Sequence, residues 1–533
     1  LMINEIRKHG FRISIQDIYN MSTIKDLLMC MTRLPTMIAK KSESMTLAYL
    51  PIHYRFFELI KTERHHWNQS VLIKLNIEHV NSKKLEDAIL CLINSHPIFR
   101  LKCNNELKLV YKKSTPPLPH QFKLYEAYDE NIARNSAQNF NLEEGNLYSF
   151  LFFKKEKLFF LNFHHLLCDG LSIRLIVDKI FDYYHTSNIQ PEVNTYQTWC
   201  DTINAIEIQL TSWYKNYLSQ RPAFNLNKKY NTSSEKSMSI INSVLNQEDS
   251  QTLFTATSDY LKLGINSVLL YSLSIALGQM IHHNGVWVNM ESHGRCNTIP
   301  VDVSSTLGWF TSIYPVFLEY TNKFQLERFL QFVMEMENIK PYHATFGILK
   351  YQKKNIPAPQ RIKNHPIKFN YLGQFSSSHK DLEFINLVHK YDISPNCEAP
   401  YPLEIELYIY DNKLHMSFKF NPDIFSTESI KSLSKSYKEY QLIISRYLIC
   451  ANLKINHVSI PTPTARVMID QKIKGAYIEQ FLFKIKPNIS FNKIERSWCK
   501  LTHQHEILRS GFYKTPNGSY LQVIFKYMNT PCL

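Results

Sequence analysis

The chain has 533 residues, 44% of them hydrophobic and 20% charged, enough apolar surface for more than one cored domain, which excludes a disordered or fibrous protein. Its net charge of +15 does not read as nucleic-acid binding: the lysines are dispersed, and no basic run exceeds pairs such as Lys112-Lys113 and Lys353-Lys354. The ten cysteines form no C-x-x-C pair, so no zinc site, no other metal site and no disulfide framework is predicted, and a reduced, cytoplasmic setting is the default.

In chain order, the first strong signal is the run 159–165, Phe-Phe-Leu-Asn-Phe-His-His. As a strand it places Phe159, Leu161, Phe163 and His165 on one face and His164 on the other, so the two histidines have separate roles. An Asp169-Gly170 turn follows, then Ser172 as helix cap, with Ile173, Ile176, Val177, Ile180, Phe181 and Tyr184 at helical spacing. Strand, tight turn and helix hold the last histidine rigidly. The plain alternative is a core histidine with a surface neighbour beside a common turn. A polar stretch at 220–236 reads as a connection. Beyond it, 268–281 is a buried helix rather than a membrane span, because Ser272, Ser274 and Gln279 interrupt it after a cap at Asn266. Strands are expected at 286–291, 404–410 and 414–420, and helices at 326–336 and 429–447. No signal peptide opens the sequence.

The segment His164-His165-Leu166-Leu167-Cys168-Asp169-Gly170 resembles the active-site motif of the condensation-domain superfamily of nonribosomal peptide synthetases, and specifically its epimerization branch. Four further stretches carry the resemblance: 50–71 with Glu63-Arg64-His65-His66-Trp67; Glu291-Ser292-His293-Gly294-Arg295; Asp302 to Pro315 with Leu307-Gly308-Trp309-Phe310; and Phe369-Asn370-Tyr371-Leu372-Gly373-Gln374-Phe375. Together they span some three quarters of the chain. The sequence departs from the pattern at Ser292 (usually glycine), at Ile173 (usually tryptophan), across 340–351, which lacks glycines before Gly347, and at 95–100.

The resemblance implies an α/β (α+β) fold of two chloramphenicol-acetyltransferase-like lobes in a V, with the active site in a tunnel between them. Residues 44–225 are expected to form the N-terminal lobe and 226–450 the C-terminal lobe. Residues 1–35 resemble the end of a peptidyl carrier domain whose phosphopantetheine serine loop is missing, and 455–533 the start of a condensation domain. The implied partners are therefore a carrier protein domain and a downstream condensation domain, within a larger multimodular enzyme. No cofactor is bound directly; the substrate rides on the phosphopantetheine of a carrier.

The implied activity is epimerization at Cα of a carrier-bound aminoacyl or peptidyl thioester. That reaction removes a proton acidified by the thioester carbonyl and returns one to the opposite face, which two acid/base groups accomplish most simply. His165 suits one role, since imidazole titrates near neutrality. Glu291 suits the other: on the expected strand it shares a face with Trp287 and Asn289, and an indole beside it in a tunnel raises its pKa. The competing reading makes Glu291 a surface carboxylate paired with Arg295. Asp169 and His164 are expected to brace the loop. Gly170 is expected where backbone meets the pantetheine arm or takes a positive φ. Asn370 and Tyr371 are candidate donors to the enolate, unless their strand is simply core. Two other readings stay open: a condensation domain, in which His165 positions an amine, and a carrier-docking remnant without turnover.

Overall fold

The computed structural model describes residues 45–452, apart from 114–120, 222–232, 259–263, 281–283, 296–298, 300, 354–364, 375–378 and 387–391, with short pieces nearer both ends. The carrier-like stretch 1–35 and the condensation-like stretch 455–533 lie mostly outside the described residues.

The first part of the chain runs α1 (Pro51–Leu59), β1 (Asn68–Leu75), α2 (Ser82–Ser95), β2 (Phe122–Tyr125), α3 (Glu130–Gln138), β3 (Tyr148–Phe153), β4 (Leu158–His164), α4 (Gly170–Thr186) and α5 (Tyr196–Ala205). The second runs α6 (Ser212–Gln220), β5 (Ser239–Val244), α7 (Gln247–Ser258), α8 (Ile265–Met280), β6 (Gly285–Ser292), β7 (Ser312–Glu319), α9 (Leu326–Ile339), β8 (Ile367–Gln374), β9 (Leu382–Asn386), β10 (Leu403–Tyr410), β11 (Lys413–Phe420) and α10 (Thr427–Asn452). The result is a mixed α/β fold with two large sheets, each with its own large core, and smaller two-stranded pairs beside them.

The first sheet has the order β9-β1-β4-β3-β2, all antiparallel except β3 with β2. Phenylalanines from β4 serve both of its faces. Phe159, Leu161 and Phe163 join the core against α2 and α4, through Leu85, Ile89, Ile176 and Ile180. Phe160 turns to the opposite face, against Leu72, Leu151, Phe153 and Ala133 of α3. Each such buried ring contributes roughly 1.5–3 kcal/mol. The expected apolar stripe of α4 is buried throughout. Its cap differs from expectation: Asp169, not Ser172, occupies the N-cap and accepts the Ser172 N–H at 2.8 Å. A carboxylate takes that place because it answers three donors at once, as the site shows.

The second sheet has the order β5-β11-β10-β8-β6-β7, with parallel pairs at β10-β8 and β8-β6. Its helices include α8, which starts at Ile265, so Asn266 lies inside its first turn rather than capping it. Ser272 and Ser274 are buried there with their hydroxyls satisfied, each donating to a carbonyl of the preceding turn. Among the described residues no helix is long and apolar enough to cross a membrane.

The two cores do not divide at 225/226. Tyr214, Tyr217 and Leu218 of α6 pack into the second core. Conversely Ile299, Val303, Leu307, Trp309 and Phe310 cross into the first core, and β9 closes the first sheet by pairing antiparallel with β1. Further on, Asp392 receives the Asn68 N–H and the Ser70 hydroxyl, both at 2.5 Å.

Candidate active site

The site forms where the loop between β4 and α4 meets the ends of β6 and β8. The β4 strand stops at His164, and the His165 N–H donates to the Trp67 carbonyl at 2.8 Å. The two histidines are then fixed in opposite tautomers by what they touch. Nε2 of His164 lies 2.8 Å from the Arg64 carbonyl, and its Nδ1 accepts the Leu166 N–H at 3.1 Å. A carbonyl only accepts, so His164 carries its proton on Nε2. His165 reverses this: Nδ1 lies 2.8 Å from the Cys168 carbonyl and carries the proton, leaving the Nε2 lone pair to the Gln69 amide at 2.9 Å. The Trp309 ring leans on the His165 imidazole with centroids 4.3 Å apart. Burial lowers the pKa of His164 to about 3 and of His165 to about 4, so both are neutral at physiological pH. His165 remains partly open on one side, whereas His164 is sealed in.

Asp169 closes the loop. Its carboxylate accepts the N–H groups of Ser172 (2.8 Å) and Phe310 (3.0 Å) and pairs with Arg295 Nη1 at 2.9 Å. Burial alone would raise its pKa, but the Arg295 guanidinium and the two N–H donors outweigh that and hold it below the usual value. Arg295 also donates to Ser172 Oγ and the Thr306 carbonyl while its guanidinium lies over the Phe310 ring, 3.9 Å from the centroid. This places Arg295 against the His165 loop and not on Glu291. Gly294 makes the turn possible: its φ is +67°, and a Cβ there would stand 1.7 Å from the Phe310 carbonyl oxygen. Gly170 lacks the positive φ expected as one of its two possible reasons, and a Cβ there would meet nothing within 4 Å.

Glu291, near the end of β6, faces away from the second core. Its carboxylate accepts from Asn370 Nδ2 at 2.6 Å and pairs with Lys368 Nζ at 3.2 Å. Trp287 does not flank it; that indole packs on Tyr217, Phe317 and His365. Lys368 also pairs with Glu404 (3.2 Å), Glu404 with Lys419 (3.1 Å), and Lys419 with Glu235 (2.8 Å). Lys368, Glu404 and Lys419 are direct cross-strand neighbours on β8, β10 and β11, so the sheet's register itself builds this ladder of alternating charge. Burial would lower the Lys368 pKa, but Glu291 and Glu404 reverse that and hold it well above normal. Its charge also reaches His165, where it works against protonation.

Strand alternation separates the other expected pair. Asn370 shares the polar face with Lys368 and is committed to Glu291, while Tyr371 packs against the second core. The two sides of the site are tied by Arg174, whose Nη2 donates to the Leu372 carbonyl at 2.7 Å, joining α4 to β8. The structure thus gathers His164, His165, Asp169 and Gly170 on one side and Glu291 and Asn370 on the other. Lys368, Gln69, Trp309 and Glu404 were given no role by sequence reasoning. The signal for Glu404 and Lys419 was present in the alternation of 403–410 and 413–420, which puts them opposite the core. A separate small pocket, lined by Ile52, Trp199, Phe310 and Ala344 among others, includes neither His165 nor Glu291.

Residues 47–448 match the condensation domain family over three quarters of the sequence. The chain belongs to that family. Curated relatives of this condensation-family chain include bacitracin synthase 3 of Bacillus licheniformis, 24% identical over 582 residues, covering 96% of this chain and 9% of the relative. The first of the surfactin synthase subunits of Bacillus subtilis (strain 168) is 24% identical over 480 residues, covering 83% of this chain and 13% of the relative. The chain therefore spans less than a fifth of either protein. Among solved structures, the epimerization domain from the third module of tyrocidine synthetase B aligns with a TM-score of 0.65 at 22% identity, covering 76% of this chain and 98% of that one. The condensation domain from the Monacolin K polyketide synthase MokA aligns at 0.57 and 13% identity, with 76% and 98% covered. These likenesses show a shared fold.

Proposed function

We propose that this domain epimerizes the Cα of an aminoacyl or peptidyl thioester carried on a phosphopantetheine arm, as part of a nonribosomal peptide synthetase, with His165 and Glu291 as the proton-transfer pair. The observation that carries this reading is a second acid/base group close to the His165 loop: Glu291, oriented by Asn370 and by Lys368, whose charge also reaches His165. Condensation needs an amine positioned at a thioester and gives no work to such a carboxylate. Inversion at Cα, unlike simple exchange, is served most simply by one group on each face of the planar enolate. The domain's partners would be a carrier protein domain and a condensation domain downstream, in keeping with a four-domain nonribosomal peptide synthetase among the structures that share the fold.

His165 is built as a base: neutral, with Nδ1 donating to Cys168 and its Nε2 lone pair met only by an amide N–H. As Nε2 takes up a proton, the Gln69 amide can rotate to present its oxygen, so one residue serves both protonation states. The deciding experiment is deuterium incorporation at Cα of an L-aminoacyl carrier protein in heavy water. The wild type is expected to exchange and give a D/L mixture. His165→Ala and Glu291→Gln each lose roughly 10²–10⁴-fold. D form still produced by Glu291→Gln would remove the carboxylate from the mechanism. Peptide-bond formation between two loaded carriers without exchange would establish condensation instead, and carrier binding with neither reaction a docking remnant.

A further inference from the structure

Away from the proposed active site, the last turn of α4 meets the segment that leads into β9. His185 Nε2 stands 3.0 Å from Asp381 Oδ2, and His379 Nε2 stands 3.4 Å from Asp182 Oδ1. The two imidazole rings face each other at 5.5 Å, tilted by 33°. One ligand atom from each of His185, His379 and Asp381 lies within 4.8 Å of the other two. We propose that these three residues bind a divalent transition-metal cation of the zinc class.

The geometry favours an ion over two separate ion pairs in three ways. Donors on one tetrahedral ion with bonds of about 2.0–2.1 Å stand about 3.3 Å apart. One pair is already at that spacing, and the third donor needs only a side-chain adjustment of an ångström or so. Asp182 sits behind the His379 imidazole as carboxylates do behind metal-bound histidines, orienting the ring and increasing its basicity. Phe181 lies 6.4 and 6.3 Å from the two rings and gives the site an apolar floor, while His185 and Asp381 remain 40% and 27% exposed, leaving room for a water as fourth ligand. Two imidazoles and one carboxylate select zinc, nickel or copper over magnesium and calcium, which prefer oxygen-only sets.

The position gives the ion a purpose. Helix α4 carries the His165 loop at its N-terminal end and this cluster at its C-terminal end. The segment it would hold is the one by which the second part of the chain closes the first sheet. A bound cation would staple that crossover to the helix. The site is assembled from residues about 200 positions apart in sequence, so no local spacing announces it.

The test uses the full chain, freed of any affinity tag and stripped with a chelator, then titrated with Zn²⁺ by calorimetry and with Co²⁺ by absorption. One equivalent is expected per chain, with weak d–d bands and no thiolate charge-transfer band, and Zn²⁺ should raise the melting temperature. His185→Ala and His379→Ala should abolish binding, Asp381→Asn should weaken it at least tenfold, and Asp182→Asn should weaken it by about 10–100-fold. No binding, a spectrum dominated by thiolate bands, or unchanged affinity in folded His185→Ala and Asp381→Asn variants would overturn the assignment. Each readout is independent of Cα exchange, so failure here leaves the proposed function untouched, and failure there leaves this site standing.

Discussion

The two sides of the site hold their reactive groups by opposite physical means. His165 is kept neutral by burial and is steered by a carbonyl, an amide and an indole ring, with its loop anchored by one buried ion pair, Asp169–Arg295. Glu291 is steered by an amide and an ammonium at the end of a five-residue ladder of alternating charge. A neutral base tolerates a dry setting, whereas a carboxylate there requires a counter-ion, and that cation in turn requires its own partner. The ladder is what such a chain of requirements looks like across four strands, β6, β8, β10 and β11, ending on Glu235.

The contrast breaks most severely at Asp169. Asp169→Asn leaves the Arg295 guanidinium buried without its partner, and about 3–5 kcal/mol of stability should be lost, read from urea unfolding. Next comes acid. His165 with a pKa of about 4 and His164 with one of about 3 stay unprotonated in the fold, while the unfolded chain takes up protons near pH 6.5. The stability this provides is therefore complete above about pH 6.5 and is lost as pH falls toward 4. His53, His343 and His365, each lowered to about 3 by burial, act the same way. Glu192, raised to about 7 by burial, opposes them. The net expectation is a fall of at least about 2 kcal/mol between pH 7.5 and 5.0 in urea midpoints. A flat profile would mean that the histidine side is not dry.

Two milder changes sharpen the comparison. Lys368→Met removes a positive charge that works against protonation of His165, so the acid limb of the Cα-exchange profile should move up, while Lys368→Arg keeps it in place. Gln69→Leu removes only the amide that meets Nε2 of His165, and exchange should fall less than about tenfold, with carrier affinity unchanged. A larger loss would make Gln69 a necessary part of proton transfer.

What the sequence disclosed follows the range over which each signal acts. The strand–turn–helix around His165 was legible because it is local: alternation in 159–165 and helical spacing after Gly170 need no distant partner. The polar face of β6 could likewise be read from alternation. The Asp169–Arg295 pair, the Lys368 contact with Glu291 and the placement of Trp309 over His165 join residues 77 to 144 positions apart, and no local pattern records them. For that reason the competing pairing of Arg295 with Glu291 gives way to Asp169, whose added contacts to Phe310 and Arg295 also make it, rather than Ser172, the cap. A polar stretch such as 220–236 marks a surface connection but not which core the flanking helix joins.

The placement of β9 at the edge of the first sheet also bears on how the protein comes off the ribosome. Roughly 220 residues separate the end of β4 from the start of β9. At about 5–20 residues per second, the nascent first lobe waits roughly 10–40 s with the outer edge of β1 unpaired. An open strand edge is a template for joining a neighbouring chain. Crowded polysomes, slow codons or truncation before residue 386 should therefore yield aggregates seeded at β1, even though the finished molecule leaves no such edge exposed there.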